Sequence, residues 1–358
     1  MKKYVGLFTA LMLMLTFALA GCGSKEELEP KDALQKAMNA AMELDSYSFE
    51  GTMKLKVEAA PEVLQNDPAA EMAMNMFSNT TMTIAGAYQK DPMQAEMTLN
   101  LDMGDLNVGI PMVVTEKKVY VKVPNIPMLA MFIPEEATGK FIEIDLDELA
   151  EMSGEEAAPQ IDMETQQKMG AEIFDAFMGK FEGETYFSSY SADDVKLPSG
   201  VEADQVVKFQ VKEDNVEEAI TTLVQKALPA VFDVLMKEEY ADVLGVEVTE
   251  LKDAKKELEE MDIEEIKEGV AEIKEEVAIN DISITTALDE DYHIPYMEFN
   301  FNLGDNTADS EVETIIFNYS QKMTDMNKDV EFEIGIPEGD DVLTMDQFSE
   351  LMGQGLQF

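Results

Sequence analysis

One cysteine, one histidine and no arginine or tryptophan narrow the chemistry open to this 358-residue chain. Cys22 is the only thiol and follows Leu19-Ala20-Gly21. His293 stands in Asp289-Glu290-Asp291-Tyr292-His293 with no second histidine, which excludes HExxH and multi-histidine metal centres. Its place, at the start of a strand after a turn, points to a surface residue rather than a catalytic base. No G-x-S-x-G, Walker A or EF-hand pattern occurs. The 74 acidic residues leave carboxylate pairs for glycosidic chemistry open without singling one out, and a chain without tryptophan is poorly suited to stacking sugars. Methionine is abundant, at 27 residues, and Met72, Met74 and Met76 alternate. Thioethers suit Cu(I), but they are also flexible apolar fillers. With no histidine nearby, packing or the lining of an apolar cavity is the better reading. No activated nucleophile or acid–base pair is assembled. The chain therefore reads as a non-enzyme, with no cofactor and no metal site.

The elements that carry these residues begin with Lys2 and Lys3 and the apolar run from Val5 to Leu19. That run has the length of a secretory core and is short for a membrane span. Ala20 and Gly21 are small, and Leu-Ala-Gly-Cys resembles the bacterial lipobox. The resemblance implies that residues 1–21 are a signal peptide and that Cys22 becomes the first mature residue, bearing a diacylglyceryl thioether. Each buried methylene contributes about 0.8 kcal/mol, and two chains anchor stably where one does not. Residues 22–30 read as a polar tether, 31–343 as a single domain and 344–358 as a C-terminal tail. The expected location is the cell membrane, lipid-anchored on its extracytoplasmic face. Removing the signal leaves 358 − 21 = 337 residues. A lone cysteine cannot form an intramolecular disulfide, so stability rests on a core drawn from the 46% hydrophobic residues.

The formal charge is −48, and loss of Lys2 and Lys3 makes it −48 − 2 = −50. Nucleic acid is excluded as a partner, because phosphate contacts need clustered Lys or Arg. Bidentate arginine clamps are absent. Solubility is the plain reading of such a surface, and a diffuse divalent-cation sink is the sharper one.

Apolar periodicity predicts a helix over 30–44, with Leu34, Ala37, Met38, Ala41 and Met42 on one face. Strands follow: Phe49–Val57, Thr81–Tyr88, Met93–Met103, Met112–Thr115, Lys118–Val123 and Phe141–Asp145, with residues 58–80 as an insertion. Helix returns over 163–181. Strands are expected at 185–191 and 205–212, then a helix opened by a capping box at Asp214-Asn215-Val216-Glu217 and divided or kinked at Pro229. The stretch 247–276 holds 13 acids and five lysines over a narrow apolar stripe. It reads as one or two surface helices, with Asp262 capping the second. Strands at 279–288, 292–303, 312–322 and 329–336 and a short helix after Thr344 close the chain.

This order of lipobox, tether, helix Ala33-Leu34-Gln35-Lys36-Ala37, entry through Leu44-Asp45-Ser46-Tyr47-Ser48-Phe49-Glu50-Gly51 and antiparallel meander resembles the lipoproteins of Firmicutes and Actinobacteria with a LolA/LppX-like half-barrel. The resemblance implies an α+β fold: a strongly curved antiparallel sheet of roughly a dozen strands, with helices 31–44, 163–181 and 214–236 on its concave side. It also implies an apolar cavity for a lipid or acyl chain. Met53, Met82, Met97, Met103, Met112, Phe299 and Phe301 are the candidates to line it. A structural or sensory lipoprotein that binds a protein partner through 247–276, and an acidic or Met-rich metal binder, are the alternatives.

Overall fold

The computed structural model describes residues 28–59, 80–103, 107–126, 133–148, 163–240, 248–306 and 312–355. Cys22 and the Met72, Met74 and Met76 series lie outside these residues.

Among the described residues, twelve strands form one sheet: β1 (Ser46–Ala59), β2 (Thr81–Gln89), β3 (Gln94–Asp102), β4 (Asn107–Thr115), β5 (Lys118–Lys122), β6 (Phe141–Asp145), β7 (Phe187–Ser191), β8 (Gln205–Val211), β9 (Val277–Leu288), β10 (Tyr296–Asp305), β11 (Val312–Thr324) and β12 (Val342–Thr344). Their spatial order is β12-β6-β5-β4-β3-β2-β1-β11-β10-β9-β8-β7. Two meanders, β1 to β6 and β7 to β11, therefore meet where β1 pairs with β11, with Met53 opposite Tyr319. Short connections make neighbours antiparallel. The pairing of β12 with β6 is parallel, because the chain reaches that edge from the far side of the sheet.

The helices named among the described residues are α1 (Pro30–Met42), α2 (Met163–Met178), α3 (Gly183–Tyr186), α4 (Val216–Thr222), α5 (Leu228–Leu235), α6 (Val248–Glu260), α7 (Ile263–Glu276) and α8 (Met345–Gly355). In α1, Pro30 sits in the first turn, where its missing N–H is no loss. Ala33, Leu34 and Ala37 then form its buried stripe. Asp262 caps α7 by accepting from the Glu264 N–H at 3.0 Å. The capping box expected at 214–217 does not form. Asn215 occupies the cap position, but its Oδ1 accepts from the Lys212 N–H at 2.7 Å instead. A π-turn over Leu223–Ala227 separates α4 from α5. Pro229 then falls in the first turn of α5, where no intrahelical N–H is required. Residues 183–186 are a helical turn rather than the start of β7.

The main core joins these helices to one end of the sheet. Ala33, Leu34 and Ala37 of α1, Met178 of α2, and Val216 and Ala219 of α4 pack with Phe181, Phe187, Val207, Phe209, Val211 and Leu288. Phe181 meets Tyr186 and Phe209 edge-on, each with ring centres 5.2 Å apart. Such pairs contribute about 0.5–1.5 kcal/mol beyond the burial of their area. Two smaller clusters lie on the other face of the sheet. Val206, Ala287 and Tyr296 are covered by Ala192, Val195, Leu197, Val201 and Ala203. Val113, Tyr120 and Phe141 are covered by Ile334 and Val342.

The half-barrel expectation is corrected. The sheet is mixed and mostly antiparallel, runs open from β12 to β7, and is neither closed nor strongly curled. Apart from α8, which packs on β12 and β6, the helices are gathered toward β7 to β9 rather than seated in a concavity. The reason lies in the burial. Each face is covered in part and at a different place, by the helices at one end of one face and by residues 192–203 and 334–342 on the other, so the packing does not draw the sheet toward one side. Strand alternation specifies which face is apolar, whereas curvature depends on bulges and on what packs against the strands. Irregularities of register occur at Glu58/Ala59 and at Asn302/Leu303, both near strand ends. The strand expected at 329–336 is not formed either. That segment bends over the sheet as a strap held to Glu96 of β3 and leads to β12.

Candidate functional site

Residues directly opposite in an antiparallel pair project from the same face. Reading the registers across the sheet places Phe209, Ile284, Phe299, Tyr319, Met53, Met82, Leu101 and Val108 in one row. The row on one side is Val211, Ile282, Phe301, Phe317 and Leu55. On the other side Val207, Thr286, Met297, Gln321, Gly51, Ile84, Leu99 and Ile110 follow. Two further rows carry Met323, Phe49, Gly86, Met97, Met112, Val121 and Ile142, then Tyr47, Tyr88, Ala95, Val114, Val119 and Ile144. These five rows contain no charged side chain.

Six of the seven residues chosen from the sequence thus share a face: Met53, Met82, Met97, Met112, Phe299 and Phe301. Met103 follows the last residue of β3 on the same parity. All seven are half-buried. The helix-built core reaches Ile282, Ile284, Met297, Leu303 and Met323 on this face, and none of the seven belongs to it. Met53 and Met82 face each other, as do Met97 and Met112, while Phe299 and Phe317 contact at 5.9 Å. Gly86 is required in its row, because a Cβ there would collide with the Glu96 carbonyl and lie 2.8 Å from the Met97 Cα.

Polar groups on this face are few. Tyr319 donates to Gln321 Oε1 at 2.7 Å, and burial pushes its phenol above the usual range. Tyr88 is 6% exposed, and its hydroxyl has no hydrogen-bond partner among the described residues. Burial, then the nearby Asp45 charge, pushes its phenol up, so it stays protonated. Its ring lies 5.2 Å from that of Tyr47. A buried hydroxyl left unpaired costs about 1–3 kcal/mol. Tyr88 was not among the residues singled out from the sequence, although it continues the parity of Met82 and Ile84. Tyr186, raised to about 12 by burial and by Glu218 and Glu182, also lacks a partner, but it is wrapped by Phe181 and Phe209 inside the main core.

The opposite face is polar. Asp281 accepts from Gln210 at 2.5 Å, Asn300 at 2.7 Å and Ser283 at 2.8 Å. Burial raises its pKa, but those three hydrogen bonds outweigh it and hold the carboxyl below the usual value. Glu298 accepts from Tyr296 and Asn318 beside it. Further along, Glu96 is 5% exposed. Its carboxylate accepts from the N–H groups of Glu333 (2.6 Å), Ile334 (2.7 Å) and Gly335 (2.8 Å). Three consecutive N–H groups wrapped on an anion form a nest, and the positive φ of Gly335 (69°) belongs to that turn of the strap. Between strap and sheet lies a cleft of about 580 Å³ lined by Ser48, Glu50, Thr98, Lys322, Glu331 and Glu333, among others. Of the seven sequence candidates it includes Met97 alone. Its carboxylates make it a poor place for an acyl chain, so the apolar face is the stronger candidate.

His293 lies in a tight turn. Its Nδ1 is 3.0 Å from Asp289 Oδ2, while its own N–H and that of Asp291 donate to Asp289 Oδ1. It organises the turn before β10, in keeping with a surface position. Among the described residues no three His, Cys, Asp or Glu side chains come together as metal ligands, and no helix is long and apolar enough to cross a membrane.

No family model and no curated protein matches this chain. Among solved structures, it is similar to the lipoprotein LppX of Mycobacterium tuberculosis, at 8% identity and a TM-score of 0.31, over 84% of this chain and 97% of that one. It is likewise similar to LprF of Mycobacterium bovis, at 10% identity and a TM-score of 0.32, over 87% and 98% of the two chains. The likeness is remote: high in coverage, low in identity and in superposition.

Proposed function

We propose that this chain is a lipid-anchored extracytoplasmic protein that binds a hydrophobic ligand without catalysis. Cys22 provides the anchor, and the ligand lies on the apolar face across β10, β11, β1, β2, β3 and β4. One observation carries this reading: five rows free of charge whose central residues, Phe299, Phe301, Met53, Met82, Met97 and Met112, stay half-buried outside the helix-built core. Flexible thioethers and aromatic rings conform to an acyl chain, and no charged clamp is needed to hold one.

The test is native mass spectrometry of full-length Cys22→Ser protein, alone and after incubation with mixed bacterial lipids. A bound lipid is expected. Its loss is expected in Met53→Glu/Met82→Glu, which places two carboxylates in the central row, with circular dichroism unchanged. Failure of any lipid to bind would sink the reading.

A second reading has its own observation. On α7, Ile266 and Val270 are buried, whereas Ile263 and Ile273 are 44% and 48% exposed amid carboxylates. A protein partner docking there would be released by Ile263→Asp/Ile273→Asp. Deleting the helix is the wrong test, because its buried stripe packs on α4 and β9.

A further inference from the structure

The charge distribution around the apolar face narrows what it can hold. The lysines on the strands of this sheet, Lys54, Lys56, Lys118, Lys122, Lys208 and Lys322, all alternate onto the opposite face by the same registers. The chain has no arginine, and its net charge is −48. A carboxylate or phosphate headgroup lying on the five rows would meet no lysine of the strands and would be repelled by the molecule as a whole. An uncharged end meets no such penalty. At one margin of this face, Tyr88 holds a hydroxyl without a partner and nine-tenths or more buried. Tyr319, the other phenol beside the central methionines, already donates to Gln321. The Tyr88 hydroxyl is therefore a buried donor still unused on a face whose five rows carry no charge. Such a group gains most from an acceptor that arrives with a ligand, because water does not reach it.

Resting on the lipid-binding reading above, we propose that the ligand is an uncharged long-chain lipid with an ester or hydroxyl oxygen, and that the Tyr88 hydroxyl donates to that oxygen. Tyr88 is then a specificity-determining residue: the rows supply affinity for the chain, and the phenol selects its end. The raised phenol pKa agrees, since the group remains a donor throughout the neutral range.

The experiment compares dioleoylglycerol with oleate, the same acyl chain ending uncharged or anionic. Both are titrated at pH 8 into full-length Cys22→Ser and Cys22→Ser/Tyr88→Phe proteins, with native mass spectrometry and displacement of a polarity-sensitive dye as readouts. Dioleoylglycerol is expected to bind at least about tenfold tighter than oleate, since no strand lysine faces the anion and the net charge of the molecule repels it. Tyr88→Phe should weaken dioleoylglycerol about three- to tenfold, the worth of one hydrogen bond, and leave oleate unchanged. Its thermal midpoint without lipid should hold or rise, because a buried unpaired hydroxyl is gone. Equal binding of the two lipids overturns the proposal, as does unchanged dioleoylglycerol affinity in Tyr88→Phe. A fall of several degrees in the midpoint also overturns it, by showing that the hydroxyl is structural. In each of those cases lipid binding itself stands. If neither lipid binds, the lipid-binding reading fails with it.

Discussion

Asp281 shows how a single carboxylate organises the polar face. Three side chains from three strands, Gln210, Ser283 and Asn300, converge on it. Its folded pKa lies below the ordinary value of 3.8. The sign follows: a carboxyl that binds protons less readily when folded adds stability above about pH 3.8, and that stability fades as pH falls through the lower folded value. Asp281→Ala is expected to cost about 1–2 kcal/mol at pH 7, for hydrogen bonds on a partly solvated face. Urea unfolding at pH 7 and pH 3 measures it, and the difference between variant and parent should shrink at the lower pH. An equal difference at both would mean that the carboxylate charge plays no part. Nothing in the sequence marked Asp281 or Glu96, because both stand on the polar side of alternating strands where solvated acids are ordinary.

At the scale of elements, the strap and the helices behave differently. The helices announce themselves through their stripes, and α1, α2 and α7 lie close to their expected bounds. The strap over 329–336 alternates well enough to read as a strand, yet its N–H groups go to one carboxylate instead of a neighbouring strand. Glu96→Ala would leave three part-buried N–H groups without acceptors, a loss of about 2–4 kcal/mol given the strength of charge-assisted hydrogen bonds. Limited proteolysis should then cut within the strap while β1 to β4 stay protected. If stability and cleavage match those of the parent, the nest does not hold the strap. The same freed segment would open the cleft of about 580 Å³, making the polar face more accessible and leaving the apolar face as it was.

For the whole molecule, the net charge bears on the proposed anchor at Cys22. A net charge of −48 repels anionic headgroups, so under the proposed reading attachment to a membrane comes from covalent lipid rather than from surface charge. Growth with labelled palmitate is expected to label the parent protein and not Cys22→Ser, and the variant should shift to the soluble fraction. Equal label in both would refute the anchor at Cys22. The apolar face does not conflict with the acidity, because the charges are segregated. Lysines and carboxylates fill the opposite sides of the strands and the exposed sides of α6 and α7.

The sequence by itself determined which residues share a face. The alternation of Met53, Met82, Met97, Met112, Phe299 and Phe301 is local, and period two survives any way in which the strands are assembled. It also determined the helix stripes and the Asp262 cap, which depend on neighbours three or four residues apart. Only the tertiary structure decided that the sheet stays open, that the helices other than α8 crowd toward β7 to β9, that β12 joins β6 in parallel, and that Glu96 grips a strap 237 residues further along. Those features arise from contacts between segments far apart in the chain. Curvature, coverage and the pairing of a buried carboxylate depend on what arrives on each face, and no periodicity within a strand encodes that.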